Sequence, residues 1–307
     1  MKTWIGIGLW CIALSIATIG SDDDCGCTGL PKVDVNVATM TVTLTASVGG
    51  FGYSDGAFHT PARLAAVQRS FIVADLRNRR IQQFRDSGTF ESTTQAIKTS
   101  DGDDTTFQAP FAIAVDPRGA VYVGDLDENV IYRLDTYGRT QATLGAFGGA
   151  GVKFNQPMGL HVDVDGYLWV ADSGNNRVLK LDNQGKKVLE IGALTGGLSD
   201  PVDVWVGADR RVWILDETGL SVCDEFGRDR RLVIPATDAS SVAQWTNGVW
   251  VLTFPLQGAV KFYSAEGALL RTITEPFVSP IDAMPIGDDR LLISDRGAHR
   301  IWVFTAH

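Results

Sequence analysis

Six side chains in this sequence carry useful chemistry once a repeat in the chain brings them to one axis: Arg63, Asp203, Ser241, Asp282, His59 and His161. Asp203 and Asp282 are hard oxygen donors, so as a pair they are the candidate metal ligands for a divalent cation, calcium or zinc. Arg63 beside them can grip a carboxylate or oxyanion through two parallel N–H donors. With Ser241 and His59, these three make up the candidate ligand-binding set. His161 is a candidate general base, because an imidazole titrates near working pH; Arg63 and His161 are thus the catalytic candidates. The same residues support a plainer reading. Two carboxylates and a guanidinium in a narrow channel are costly to desolvate unless paired, so an Arg63–Asp ion pair can simply plug it. A lone channel histidine is more often just hydrogen-bonded.

The repeat is clearest over residues 154–185. Gly159 to Asp163 alternates after Pro157 and reads as a strand, and Asp165-Gly166 is a turn. Tyr167 to Ala171, Arg177 to Leu181 and Lys187 to Ile191 follow as three more strands. Such a meander leaves both faces wet and needs copies of itself to pack against. The copies are present: Pro110 to Asp125, Pro157 to Asp172, Pro201 to Asp216 and Pro280 to Asp295 share one spacing, and Pro61 to Asp75 is one residue shorter. A β-branched residue follows each Asp by six: Ile81, Ile131, Val178, Val222 and Ile301. Three residues before each Pro stands Phe58, Phe107, Phe154, Leu198 or Phe277. A degenerate copy, Ala239 to Phe254, keeps the spacing and Val260 but loses the Pro and the Asp.

Strand alternation assigns directions. Counted from the Pro, positions +3 and +5 are mostly apolar, so +2 and +4 face the axis. Position +2 reads Arg63, Ala112, Gly159, Asp203, Ser241, Asp282; position +4 reads Ala65, Ala114, His161, Trp205, Ala243, Met284.

FNQPMGLHVDVDGYLWVADSGNNRVLKL, residues 154–181, resembles an NHL-repeat unit, and VADLRNRRI, residues 73–81, is similar. DLDENVI at 125–131 and SDRGAHRI at 294–301 match in part. The resemblance covers roughly Val48 to Phe304. It implies an all-β, six-bladed β-propeller of four-stranded antiparallel blades. It is specific for fold and not for function, because this architecture hosts lyases, lactonases, receptors and scaffolds. Peptide-amidating lyases are similar in repeat and imply several histidines holding zinc at the channel mouth. Asp282 and Arg63 match an Asp and a substrate-gripping Arg of that pattern. Only His59 stands at the rim, however, with His161 deeper and His299 on an outer loop. The Glu, Asn and Asp set of lactonase-type propellers and the His–Glu pair of streptogramin-type lyases are not assembled here.

The last copy ends too soon for a fourth strand. Thr41 to Val48 alternates and has no other place to pair, so it is expected to complete the sixth blade and close the ring. Before it, a charged start and an apolar run at residues 1–20 read as a signal peptide, with 21–40 a short tail and 41–307 the propeller. The expectation is an exported protein, periplasmic or extracellular, tethered to a membrane only where the leader stays uncleaved. With 27 Lys and Arg against 36 Asp and Glu, the net charge of −9 argues against nucleic acid as a partner. Cys223 reads as a buried small apolar residue, and Cys25 and Cys27 carry no spacing for a metal site. Phe254 to Leu256, where other blades have a polar loop, is a candidate apolar contact for a partner. The function expected is a monomeric binding or scaffold module, its protein or small polar ligand on the loop face or in the channel mouth. The alternative is a metal-dependent lyase or hydrolase of the propeller type.

Overall fold

The computed structural model describes residues 34–37, 40–98, 101–149, 151–192, 197–245 and 248–306. The expected leader, Cys11, Cys25 and Cys27 lie outside these residues. The described chain is all-β: five four-stranded antiparallel sheets and one five-stranded sheet repeat around an axis. Blade one opens with Pro61–Val67, blade two with Pro110–Val115 and blade three with Pro157–Val162. Blades four, five and six open with Asp203–Val206, Ser241–Gln244 and Pro280–Ile286.

The expected closure is present. Met40–Gly49 pairs with Arg300–Ala306, placing Val48 opposite Ile301 and Thr43 opposite Thr305. The N-terminal strand thus supplies the outer strand that the sixth blade lacks. Asp34–Val37 adds a further antiparallel strand beyond it, so part of the expected tail is sheet. A second addition is the hairpin of Ala96–Lys98 with Asp104–Thr106, which buries Ile97 beside blades one and two.

Each repeated column does one physical job. Phe58, Phe107 and Phe154 are fully buried, with Leu198 and Phe277 nearly so. Ile81, Ile131, Val178, Val222, Val260 and Ile301 are buried as well. Apolar clusters lie between neighbouring blades, as where Val48, Phe58, Phe71, Leu292 and Ile301 join the sixth to the first. In blades one, two, three and six the Asp ending the second strand ties down the loop that enters its own blade. Asp75 accepts from the backbone N–H of His59, Asp125 from Gln108, Asp172 from Asn155 and Asp295 from Val278, all at 2.7–2.8 Å. Arg80 and Arg177 donate through Nε to Asp75 and Asp172 at 3.0 and 2.7 Å. These buried, charge-assisted pairs order the loops of the repeat. In blade four the same carboxylate, Asp216, is met instead by Arg230 from before the fourth strand.

Candidate functional site

The inner strands bring Arg63, Asp203, Ser241 and Asp282 to one level of the axis. Arg63 Nη1 donates to Asp203 Oδ2 and to Asp282 Oδ1, both at 3.0 Å. Its Nη2 donates to the carbonyls of Val202 and Ser240 at 2.9 and 2.8 Å. The second carboxylate oxygens are engaged too. Asp282 Oδ2 accepts from Leu64 N at 2.8 Å, and Asp203 Oδ1 from Val204 N at 3.0 Å. Val242 N adds a further bond to Asp203 Oδ2. Ser241 Oγ bonds Thr253 Oγ1 and accepts from Ala283 N. One guanidinium therefore ties together the inner strands of blades one, four, five and six, and its four contacts span the channel.

Gly159 makes this possible. A Cβ there would come within 2.7 Å of Asp203 Cα and Oδ1, so the bare backbone of blade three lets Asp203 sit at the axis. The sequence gives Gly159 as one of six +2 residues; its role appears only when blades three and four are set side by side.

Burial dominates the electrostatics. It works to lower the Arg63 pKa, but the two carboxylates outweigh it and raise it further. Burial pushes Asp203 up to about 6 against the pull of Arg63, and it raises Asp282 in the same sense. The triad thus holds one positive charge against two carboxylates.

On one side of the triad the axis opens into a cavity of about 190 Å³. Its wall runs from Arg63, Asp203 and Asp282 past the +4 residues His161, Trp205 and Met284 to Ala66, Val115, Val162 and Pro285 at its mouth. Ala66, Val115 and Val162 also line a surface hollow with the Asp116–Gly119 and Asp163–Val164 turns. The cavity therefore opens on the face that carries the turns after the inner strands, and the triad closes it toward the opposite, loop-bearing face. His161 Nε2 lies 3.2 Å from the carbonyl of Val206. A carbonyl only accepts, so Nε2 carries the proton and Nδ1 keeps its lone pair. The His161 and Trp205 rings are 4.6 Å apart, centre to centre.

Burial lowers the His161 pKa from 6.5 to about 4, against a Val206 hydrogen bond that favours the charged form. A depressed pKa on a base means that the unfolded chain takes up the proton first on acidification. His161 accordingly costs stability as pH falls from 6.5 towards 4. Between those limits the wild type is expected to lose roughly 1–3 kcal/mol relative to His161→Gln, the lower values reflecting the ring's partial exposure in the cavity. Urea-unfolding midpoints at pH 7, 5.5 and 4.5 measure this; a constant difference between the two proteins would show a hydrated, freely titrating ring.

His59 does not join the triad. It lies on the loop face among Phe51, Tyr53 and His299, with ring centres 5.2, 5.5 and 6.0 Å away. Its Nδ1 is buried without a partner, while His299 Nδ1 accepts from Thr60 N. Phe254 is buried against the blade-four cluster, so of the candidate contact Phe254–Leu256 only Leu256 stands well exposed. Trp245 and Trp250 are core, and Cys223 is buried, its thiol pushed up to about 11 by desolvation.

A divalent cation fits this site poorly. The guanidinium occupies the space between the two carboxylates, and their other oxygens already accept backbone N–H groups. Among the described residues no three His, Cys, Asp or Glu side chains cluster for a metal. Nor is any helix among them long and apolar enough to cross a membrane.

Residues 154–181 match the NHL repeat family. No curated protein matches the sequence. Among solved structures, a gluconolactonase from Xanthomonas campestris is similar with a TM-score of 0.67 at 18% identity, covering 89% of this chain and 91% of its own. A streptogramin B lyase is similar at 0.61 and 14% identity, covering 87% and 98%. The WD40 propeller domain of Doa1 is similar at 0.60 and 13% identity, covering 86% and 96%. At such identities the likeness is one of fold alone. The chain is a six-bladed β-propeller that carries an NHL repeat in its third blade.

Proposed function

We propose that this propeller is an exported binding module that holds a small molecule in the axial cavity, entered from the turn face. The observation that carries the reading is the division of the axis. Every carboxylate oxygen and both terminal nitrogens of the triad are bonded, so the triad forms a floor. Above that floor His161 and Trp205 present a lone pair and an aromatic wall to open space. A concave, mostly apolar pocket with few convergent polar groups is what small ligands use. The apolar run at residues 1–20 supports export. A second reading, a metal-dependent hydrolase or lyase at the same axis, has the lactonase and lyase likenesses in its favour. It requires Arg63 to give up both carboxylates.

One experiment separates the two. A small-molecule library is screened by thermal shift with and without EDTA, and hits are repeated on Trp205→Ala. Binding in the cavity predicts hits that raise Tm in both conditions, are lost with Trp205, and leave the ligand-free Tm indifferent to EDTA. A ligand-free Tm that falls by several degrees on chelation, and recovers with calcium or zinc, would replace the binding reading with the metal-dependent one.

A further inference from the structure

Resting on the axial cavity as the binding site, we infer that its ligand is a small organic cation: a protonated amine on a compact apolar or aromatic body. Three features of the wall carry this. The floor is charge-unbalanced, with Arg63 as the single cation among the cavity-lining residues against Asp203 and Asp282; both carboxylate side chains line the cavity and keep 10% and 9% exposure. A buried excess carboxylate is costly unless a counter-charge meets it. The middle of the wall offers acceptors and a π face but no cation. His161 is neutral, its Nε2–H is spent on Val206, and its Nδ1 lone pair has no protein partner among the described residues. Trp205 stands beside it, and an indole is the best aromatic face for a cation. The rim is apolar: Ala66, Val115, Val162, Met284 and Pro285. An ammonium group can thus lie between the floor carboxylates and His161 Nδ1, with its carbon body against Trp205 and Met284.

Size narrows the class. A dry cavity of ~150 Å³ takes benzene, so about 190 Å³ suits one ring bearing a short aminoalkyl arm. An anionic ligand is disfavoured, because both terminal nitrogens of Arg63 are taken by its carboxylates and carbonyls, and its remaining donor, Nε–H, is buried out of reach.

The titratable and charged groups facing the site are few. Blade one gives Arg63, blade three His161, blade four Asp203 and blade six Asp282; blades two and five give only Ile113, Ala114, Val115 and Val242. Between pH 7 and 5 His161 stays neutral, while Asp203 takes up a proton near 6 and Asp282 shifts the same way. Affinity for an amine of high pKa should fall across that window.

The test uses three probes of one shape on the full protein: benzylamine, benzyl alcohol and benzoate. Binding is read by titration calorimetry and by the methyl resonance of Met284, one of four methionines. The expected result is that benzylamine binds roughly tenfold or more tighter than benzyl alcohol, as a charge-assisted hydrogen bond predicts. Benzoate should not bind, and the benzylamine advantage should shrink at pH 5 and in Asp203→Asn. Ala114→Phe, which fills the cavity without touching a charge, should abolish all binding. Equal binding of the amine and the alcohol overturns the cation while leaving the cavity a binding site. If no probe moves Met284, and Ala114→Phe behaves as wild type against every library hit, both readings fail. Displacement of benzylamine by calcium at far lower concentration would show an inorganic cation as the occupant instead.

Discussion

Removal of residues 34–49 is expected to leave a chain that no longer unfolds in one cooperative transition and that aggregates. The strand Met40–Gly49 pairs with Arg300–Ala306 from Val42 to Gly49, with one register shift between Leu44 and Ala46, and its Val42, Leu44 and Val48 are buried. Burying a large aliphatic side chain contributes about 1.5–3 kcal/mol. Three of them, with the strand pairing that positions them, approach the total stability of an ordinary domain, about 5–15 kcal/mol. The loss is also topological. Without this strand, Arg300–Ala306 becomes an exposed, apolar sheet edge, and Phe58 loses the neighbour whose Gly49 lies against its ring. The measurement is size-exclusion chromatography with a circular-dichroism melt. A synthetic peptide of residues 34–49, added during refolding, should restore the monomeric elution and the cooperative melt by strand addition. A shortened chain that melts within a few degrees of the full one would mean that the ring does not depend on this closure.

The fold was legible in the sequence because the repeat is strict where backbone geometry is strict. Pro, Asp and Phe recur at fixed offsets since each does the same job in every blade, and alternation then fixed which residues face the axis. The closing strand was legible by subtraction, as the last copy was one strand short. What stayed hidden depends on contacts between blades far apart in sequence. Arg63 meets Asp203 and Asp282 across separations of 140 and 219 residues. No local pattern says that one guanidinium takes both carboxylates rather than leaving one for a ligand. The end at which the channel stays open was hidden for the same reason. The small +2 residue Gly159 matters only through its neighbour Asp203, and the partner of Asp216 had moved to Arg230, off the repeat register. Phe254 looked available because its loop had lost its polar residues; its side chain turns inward over the blade-four cluster, while Leu256 beyond it stays exposed.

Replacing Arg63 by leucine should cost about 3–5 kcal/mol at pH 8, the loss typical when one partner of a buried ion pair is removed. Two buried carboxylates would then face each other across the axis with no cation between them. Acidification tells this cause from a packing defect. Both carboxylates already have raised pKa values in the wild type because of burial, and losing Arg63 raises them further. A carboxylate whose folded pKa exceeds its unfolded value destabilises the fold above that pKa and ceases to do so as pH falls through it. The deficit of Arg63→Leu should therefore shrink between pH 8 and pH 5, whereas a cavity left by a lost side chain would be indifferent to pH. Arg63→Lys should fall between, since one ammonium cannot reach two carboxylates and the carbonyls of Val202 and Ser240 with the same geometry. The triple variant Arg63→Met, Asp203→Asn, Asp282→Asn removes the charges while keeping amide oxygens to accept from Val242 N and Leu64 N. Those two N–H groups would be orphaned by apolar replacements, which is why asparagine is the right neutral partner here. If the triad is a structural floor, the triple variant recovers most of the loss by urea unfolding. A triple variant as unstable as Arg63→Leu would show that the guanidinium itself, through its carbonyl contacts, holds the four inner strands together.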